Sequence, residues 1–256
     1  MSRSAAPMAD PVNIICMKWG ALYGPEYANR LYAMSARHMT RPFRFVCLTD
    51  DATGLRPEIE ALPIPDMRID PPYQMTPWRK LALYAPEIGD LKGPTLFMDL
   101  DVVITGGLDV FFDHPGAYCI ILNWTHPDRI VGNSSVFRFE IGAQTELLDT
   151  YLSKPTQAWV DLYRNEQAYL SHILGRERLT YWPEGWCVSF KKHCLPKGLL
   201  KWFLPSAVPP GARVVVFHGH PNPDDALAGR WPGGWYKRLR PATWIADHWR
   251  EDGPAA

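Results

Sequence analysis

Two aspartates two residues apart, Asp99 and Asp101, interrupt an otherwise apolar run, with Leu96-Phe97-Met98 before them and Val102-Val103-Ile104 after. Side chains alternate faces along a strand, so residues two apart project together. Two like charges a few ångströms apart among dry neighbours are unstable unless one takes a proton or a cation sits between them. Hard carboxylate oxygens suit Mg2+ or Mn2+, and these two side chains are expected to hold one. His218 closes the strongest late apolar run, Val214-Val215-Val216-Phe217. A neutral imidazole can complete a carboxylate metal site, and an α/β sheet presents its ligands at the carboxyl ends of its strands. His220, followed by Pro221, is expected to point away.

A cation held by two carboxylates has two common uses on an α/β sheet. It grips a nucleotide diphosphate, or it assists phosphoryl chemistry with the first aspartate as nucleophile. The second use would make the protein a Mg-dependent phosphatase or phosphotransferase with Asp99 as nucleophile. The run Asp99-Leu100-Asp101-Val102-Val103 fits the opening motif of haloacid-dehalogenase-type phosphatases. Those proteins carry the motif on their first strand and need a later acidic pair. Here at least two strands precede it, and Asp224-Asp225, lying after two prolines, is the available pair.

The elements that must position these groups follow from local pattern. Residues 12–19 and 43–49 read as strands. Between them, 25–38 reads as a helix that starts on Pro25, with Tyr27, Leu31 and Met34 on one face. A short helix over 79–84 precedes the strand over 94–104 that carries the two aspartates. Residues 117–123 and 134–139 read as further strands, 143–152 and 157–174 as helices, 212–218 as a last strand and 243–250 as a closing helix. Strands alternating with helices give one α/β, Rossmann-like domain, with a mostly parallel central sheet and helices on both faces. The later half is expected to add a mixed sheet edge. Residues 1–11 read as a leader rich in Ala, Ser and Pro, and 251–256 as a tail.

Composition narrows the partners. The 256 residues carry 27 Lys+Arg against 27 Asp+Glu, which argues against a nucleic-acid surface and against a polybasic membrane protein. With 46% hydrophobic and 21% charged residues, the chain can build a core and is not globally disordered. Cys16, Cys47, Cys119, Cys187 and Cys194 are scattered, three of them in apolar runs, and read as core thiols of a cytoplasmic protein. The N-terminal segment lacks the apolar core of a secretory signal, and no run approaches the ~20 apolar residues of a membrane span. Proline, at 25 residues, is nearly twice its ordinary share of about 5%, so many segments end in rigid connections.

The order of motifs resembles that of GT-A-fold glycosyltransferases, particularly glycosyltransferase family 8. The matching runs are KWGALYG, WRKLALY, LFMDLDVVI, Leu108-Asp109 with Phe111-Phe112, NSSVFRF, NEQAYLS and VVVFHG, over about residues 12–220. The resemblance implies transfer of a sugar from a nucleotide diphosphate donor, a UDP-sugar, to a carbohydrate, lipid-linked or protein acceptor, with retention of anomeric configuration. It implies a nucleotide-binding half over about 12–105 and an acceptor half over about 106–250. Asp99 and Asp101 would bind Mn2+ or Mg2+, with His218 as third ligand. Lys80 would lie near the donor, and Tyr23 or Trp19 would stack on the base. Asn133, Ser134 and Ser135 would approach sugar hydroxyls. Glu166 and Gln167 would face the transferred sugar and stabilise the positive charge that develops at its carbon, while metal and cations stabilise the leaving phosphate.

One departure stands out. Related enzymes follow the histidine with a Lys-Pro-Trp element, where this chain reads Asn222-Pro223-Asp224. Arg230, Lys237 or Arg238 would have to supply the cation. Otherwise the chain is a non-catalytic nucleotide-sugar binding protein. The C-terminal segment 231–250 alternates aromatic with basic residues. It reads as an acceptor platform carrying Trp231 and Trp235, as a peripheral contact with the inner face of the membrane, or as a packed terminal helix.

Overall fold

The computed structural model describes residues 11–124 and 131–252; residues 1–10 of the leader and 253–256 of the tail lie outside them. The chain opens with β1 (Val12–Lys18), α1 (Pro25–His38) and β2 (Phe43–Thr49), the βαβ unit expected from the pattern. β1 and β2 pair in parallel from Val12 with Phe43 to Lys18 with Thr49. Alternate residues of β1 enter two different cores. Ile14 and Cys16 pack with Leu31 and Met34 of α1, whereas Ile15 and Met17 pack with Trp78 and Leu81. A strand covered on both faces must be apolar throughout, which is why β1 reads as a continuous run rather than an alternation.

β3 (Glu60–Leu62), a 3-10 helix (Pro77–Tyr84), β4 (Pro94–Met98), β5 (Val102–Ile104), α2 (Asp109–Asp113), β6 (Cys119–Leu122) and β7 (Gly132–Glu140) follow. Then come α3 (Glu146–Leu152), α4 (Thr156–Leu162), α5 (Glu166–Arg178), β8 (Thr180–Tyr181), β9 (Cys187–Ser189), β10 (Val214–Val216), α6 (Pro223–Leu227) and α7 (Trp244–His248). The central sheet runs β3-β2-β1-β4-β7-β6-β8. It is mostly parallel; β7 is antiparallel to both of its neighbours. Helix α1 with α6 and α7 covers one face, and Pro77–Tyr84 with α3 and α5 covers the other. All five cysteines are buried. No helix among the described residues is long and apolar enough to cross a membrane.

Three expectations change. The aspartates do not lie within one strand. β4 ends at Met98, the chain turns through residues 99–101, and β5 joins a second sheet of order β5-β10-β9. The Asp99 amide donates to Ser135 O at 2.9 Å in the large sheet, and the Phe217 amide donates to Asp101 O at 3.1 Å beside the small one. The two carboxylates therefore mark the point where the chain changes sheets. The late valine run supplies β10 to this small sheet rather than to the central one. Finally, 157–174 is not one helix: α5 starts at Glu166, where Asn165 Oδ1 accepts from the Ala168 amide at 3.1 Å. That cap places Glu166 and Gln167 in the first turn of a helix, not in its interior.

Candidate active site

The turn between the two sheets brings Asp99 and Asp101 against Lys80. The ammonium lies 2.6 Å from Asp99 Oδ1 and 3.4 Å from Ser134 O. Burial alone would pull Lys80 below its ordinary pKa, but Asp99, Glu166 and Asp101 together hold it above that value. Asp101 behaves oppositely. Burial, reinforced by the charge of Asp99, pushes its carboxyl up to about 7, although Lys80 and the Tyr23 hydroxyl favour the ionised form. One lysine thus stands against more negative charge than it can balance, the condition in which a buried carboxylate takes up a proton or a metal ion.

Two cavities meet at this pair. The first, of about 300 Å³, has Asp99, Asp101 and Lys80 on its wall with Ser134, Glu166 and His218. Its walls are polar and internally bonded. Ser134 Oγ donates to Glu166 Oε1 at 2.6 Å, and the Ser134 amide donates to Gln167 Oε1 at 3.2 Å. The Ser135 amide donates to Asn133 Oδ1 at 3.2 Å. Glu166 is 5% exposed, so the serine hydroxyl satisfies a carboxylate that water barely reaches. Asn133, Ser134, Ser135, Glu166 and Gln167, gathered from sequence separations of about thirty residues, all line this chamber.

The second cavity, of about 420 Å³, shares Asp99, Asp101, Lys80 and Pro77 with the first and is otherwise lined by residues that include Trp19, Leu22, Tyr23 and Met75. Tyr23 packs its ring against Tyr27 at 4.7 Å and donates its hydroxyl to Asp101 Oδ2 at 3.0 Å. Burial first, and then the nearby Asp101 charge, raise its pKa, so it remains a donor to the carboxylate at neutral pH. Trp19 and Tyr23 therefore both reach an apolar slot, and Tyr23 also tethers the acidic pair.

His218 shares the polar chamber. It follows β10 and precedes Gly219, whose φ of +63° turns the chain back in a conformation suited to glycine. Its ring lies 5.9 Å from that of Trp124, and its Nε2 lies 2.6 Å from Ser189 Oγ. Burial, followed by Lys191 and Lys192, lowers its pKa to about 4, so the imidazole is neutral at physiological pH. Among the described residues, no three His, Cys, Asp or Glu side chains are grouped closely enough to hold a metal ion. Asp99 and Asp101 form a pair, and His218 lines their cavity while bonded to Ser189.

The cations expected beyond His218 lie elsewhere. Arg230 pairs with Asp225 at 3.1 Å and Asp224 at 3.6 Å, and Lys237 Nζ lies 3.4 Å from Pro232 O. Arg238 is exposed, and none of the three lines either cavity. Lys191, absent from the expected set and likewise outside both cavity linings, donates to His218 O and lies 3.4 Å from His220 O, with Lys237 near enough to repel it. It arrives through the small sheet: β9 and β10 pair in parallel with Ser189 opposite Val216, so the residues after each strand emerge side by side. The sequence signal was the pair Lys191-Lys192, which has no local reason to meet residue 218.

This single α/β domain with its mostly parallel central sheet has a GT-A-like fold. The solved structures it resembles include galactosyltransferase LgtC in complex with donor and acceptor sugar analogs (14% identity over 82% of this chain and 88% of that one, TM-score 0.57). They also include an active-site mutant of LgtC (13% identity over 92% of this chain and 94% of that one, TM-score 0.59). The apo form of glycosyltransferase GlyE of Streptococcus pneumoniae TIGR4 matches at 10% identity over 93% of this chain and 59% of its own length, TM-score 0.58. No protein-family model matches the sequence, and no curated protein matches it.

Proposed function

We propose that the protein is a glycosyltransferase that moves a sugar from a nucleoside diphosphate donor, a UDP-sugar, to a carbohydrate acceptor. The observation that carries this reading is the three-part site: an apolar slot beside Trp19 and Tyr23, an acidic junction at Asp99 and Asp101, and a polar chamber beside Glu166. A nucleotide sugar has the same three parts, a flat base, a diphosphate and a polyhydroxylated ring. The likeness to LgtC, solved with donor and acceptor sugar analogs, supports the same reading.

The donor set fits Mn2+ or Mg2+, because a half-buried carboxylate pair and a neutral imidazole line one cavity. Asp99 and Asp101 would hold the ion, with His218 the nearest further ligand. When bound, it would neutralise charge on the diphosphate. The protein's own groups do the rest. Lys80 binds and orients the phosphate end while ion-paired to Asp99. Lys191, at the His218 loop, supplies the second positive charge that the missing Lys-Pro-Trp element would have given. Glu166, kept in place by Ser134, and Gln167 face the sugar and stabilise positive charge at the carbon that is transferred. Retention of configuration belongs to this reading, and the coupling constant of the product's anomeric proton tests it.

Phosphoryl transfer through Asp99 fits the site poorly. Asp99 is ion-paired to Lys80, Asp224 accepts from Tyr27 at 2.7 Å, and neither Asp224 nor Asp225 lines either cavity. Calorimetric titration with UDP, with and without Mn2+, tests the proposal. Binding that requires Mn2+ and is lost in Asp101→Ala is the expected result. Metal-independent or absent binding, or a phosphorylated Asp99 trapped with a phosphodonor and Mg2+, would overturn it.

A further inference from the structure

Charge is balanced over the whole chain but not along it. From residue 185 to 223 there are five Lys or Arg and no Asp or Glu, and from 226 to 246 four and none. The fold brings these two stretches together. Trp202 lies 6.3 Å from Trp235, Lys201 Nζ sits 4.9 Å above the Trp231 ring, and Arg240 donates to Phe203 O at 3.1 Å. The short 3-10 turn Gly198–Trp202 and the residues after it present large apolar side chains to solvent: Leu199, Leu200, Phe203 and Leu204 are 48–65% exposed, and Trp235 is 77% exposed. Exposed cations are interleaved with them, Lys197 before the turn, and Arg238 and Arg240 beside it.

The C-terminal segment is thus divided. Ile245 and Trp249 are buried in the core beside α1, as a packed terminal helix requires. Trp235 and Tyr236 instead join a surface built mainly by residues 197–204, which the alternation of the C-terminal segment did not reveal.

We propose that this face docks on an anionic lipid bilayer. Apolar tips and cations alternate there within a few residues. A bilayer offers acyl chains and lipid phosphates at nearly the same depth, so it satisfies both at once. Trp and Tyr at the margin suit the headgroup layer, where a ring is half wet and half dry. Asp224 and Asp225 separate the two stretches and pair with Arg230, but Lys197, Lys201, Arg238 and Arg240 on the apolar face match a negative surface and oppose a second copy of the same face. The inference goes beyond the transferase reading and does not depend on it.

The test is co-sedimentation of the full chain with phosphatidylcholine vesicles, with and without about 30% phosphatidylglycerol. Binding is expected only to the anionic vesicles and is expected to weaken with salt. Lys197→Glu with Lys201→Glu should lower partitioning at least tenfold, given about fivefold for each basic residue near an anionic surface. Leu200→Ser with Phe203→Ser should reduce it similarly, whereas Leu162→Ser, an exposed leucine on α4, should not. Quenching of wild-type tryptophan fluorescence by brominated anionic lipid gives a reading that needs no variant. Wild-type protein that stays in the supernatant, or binding unaffected by either double substitution, would refute the proposal. So would a dimer in vesicle-free solution that Leu200→Ser with Phe203→Ser dissociates, since a second copy would then own the surface.

Discussion

Lys80 is the buried counter-charge of the acidic junction, and its removal has a calculable consequence in metal-free protein. Lys80 is 8% exposed, and its ammonium lies 2.6 Å from Asp99 Oδ1, whose side chain keeps 20% exposure. Taking one partner from a buried pair costs about 3–5 kcal/mol, because the survivor is left uncompensated. Asp99 is partly wet and Asp101 can take a proton near neutrality, so Lys80→Ala belongs at the lower end, about 3 kcal/mol at pH 8. For a chain of this size that is roughly 6–12 °C in Tm. The pH dependence follows from Asp101. Its folded pKa of about 7 lies above the ~3.9 of an unfolded aspartate, so between those values the folded state binds the extra proton and stability falls as pH rises. Without Lys80 that folded pKa rises further, and the penalty of the substitution grows from pH 5.5 to pH 8. Thermal unfolding of wild type and Lys80→Ala in EDTA at the two pH values measures this. A loss of equal size at both, or no loss at pH 8, would refute the assignment of Lys80 as counter-charge to the pair.

Three further outcomes are expected. Ser134→Ala should destabilise the fold by about 1.5–3 kcal/mol, the range for a hydrogen bond to a buried charge, and should lower kcat more than it raises KM for the donor; urea unfolding and initial rates read the two effects. Lys191→Ala should weaken UDP about tenfold, or roughly 1.4 kcal/mol, while leaving uridine unchanged in calorimetry, with Lys191→Arg recovering part of the loss. His38 and His248 stack at 6.4 Å, and each is held below its ordinary pKa, first by burial and then by the other ring or neighbouring charges. The unfolded chain takes up protons near pH 6.5 that the folded rings resist, so their contribution is present above that pH and is lost as pH falls through it. Urea midpoints at pH 7.5 and 5.5 should therefore show a smaller acid loss in His248→Gln than in wild type.

The local pattern was sufficient for the first βαβ unit. β1, α1 and β2 lie where apolar runs and the Pro25 start put them, because a strand buried on both faces and an amphipathic helix are set by residues near in sequence. The acidic pair was legible too, since carboxylates in an apolar run have few bland uses. The same residues did not reveal that the run breaks at Met98. Whether Val102–Ile104 stays in the first sheet depends on a partner, β10, more than a hundred residues away.

By itself, then, the sequence determined the α/β class and the acidic pair, through hydrophobic period and residue chemistry acting over short range, while most residues of the polar chamber were suggested only by the resemblance to GT-A glycosyltransferases. Tertiary structure alone decided that Asp99 and Asp101 stand between two sheets and that Glu166 opens a helix behind an Asn165 cap. It also decided that Lys191 reaches the histidine loop. The physical reason is common to all three: strand pairing and burial are long-range choices. A one-residue change in which strand accepts a hydrogen bond moves a charged side chain between solvent, core and site.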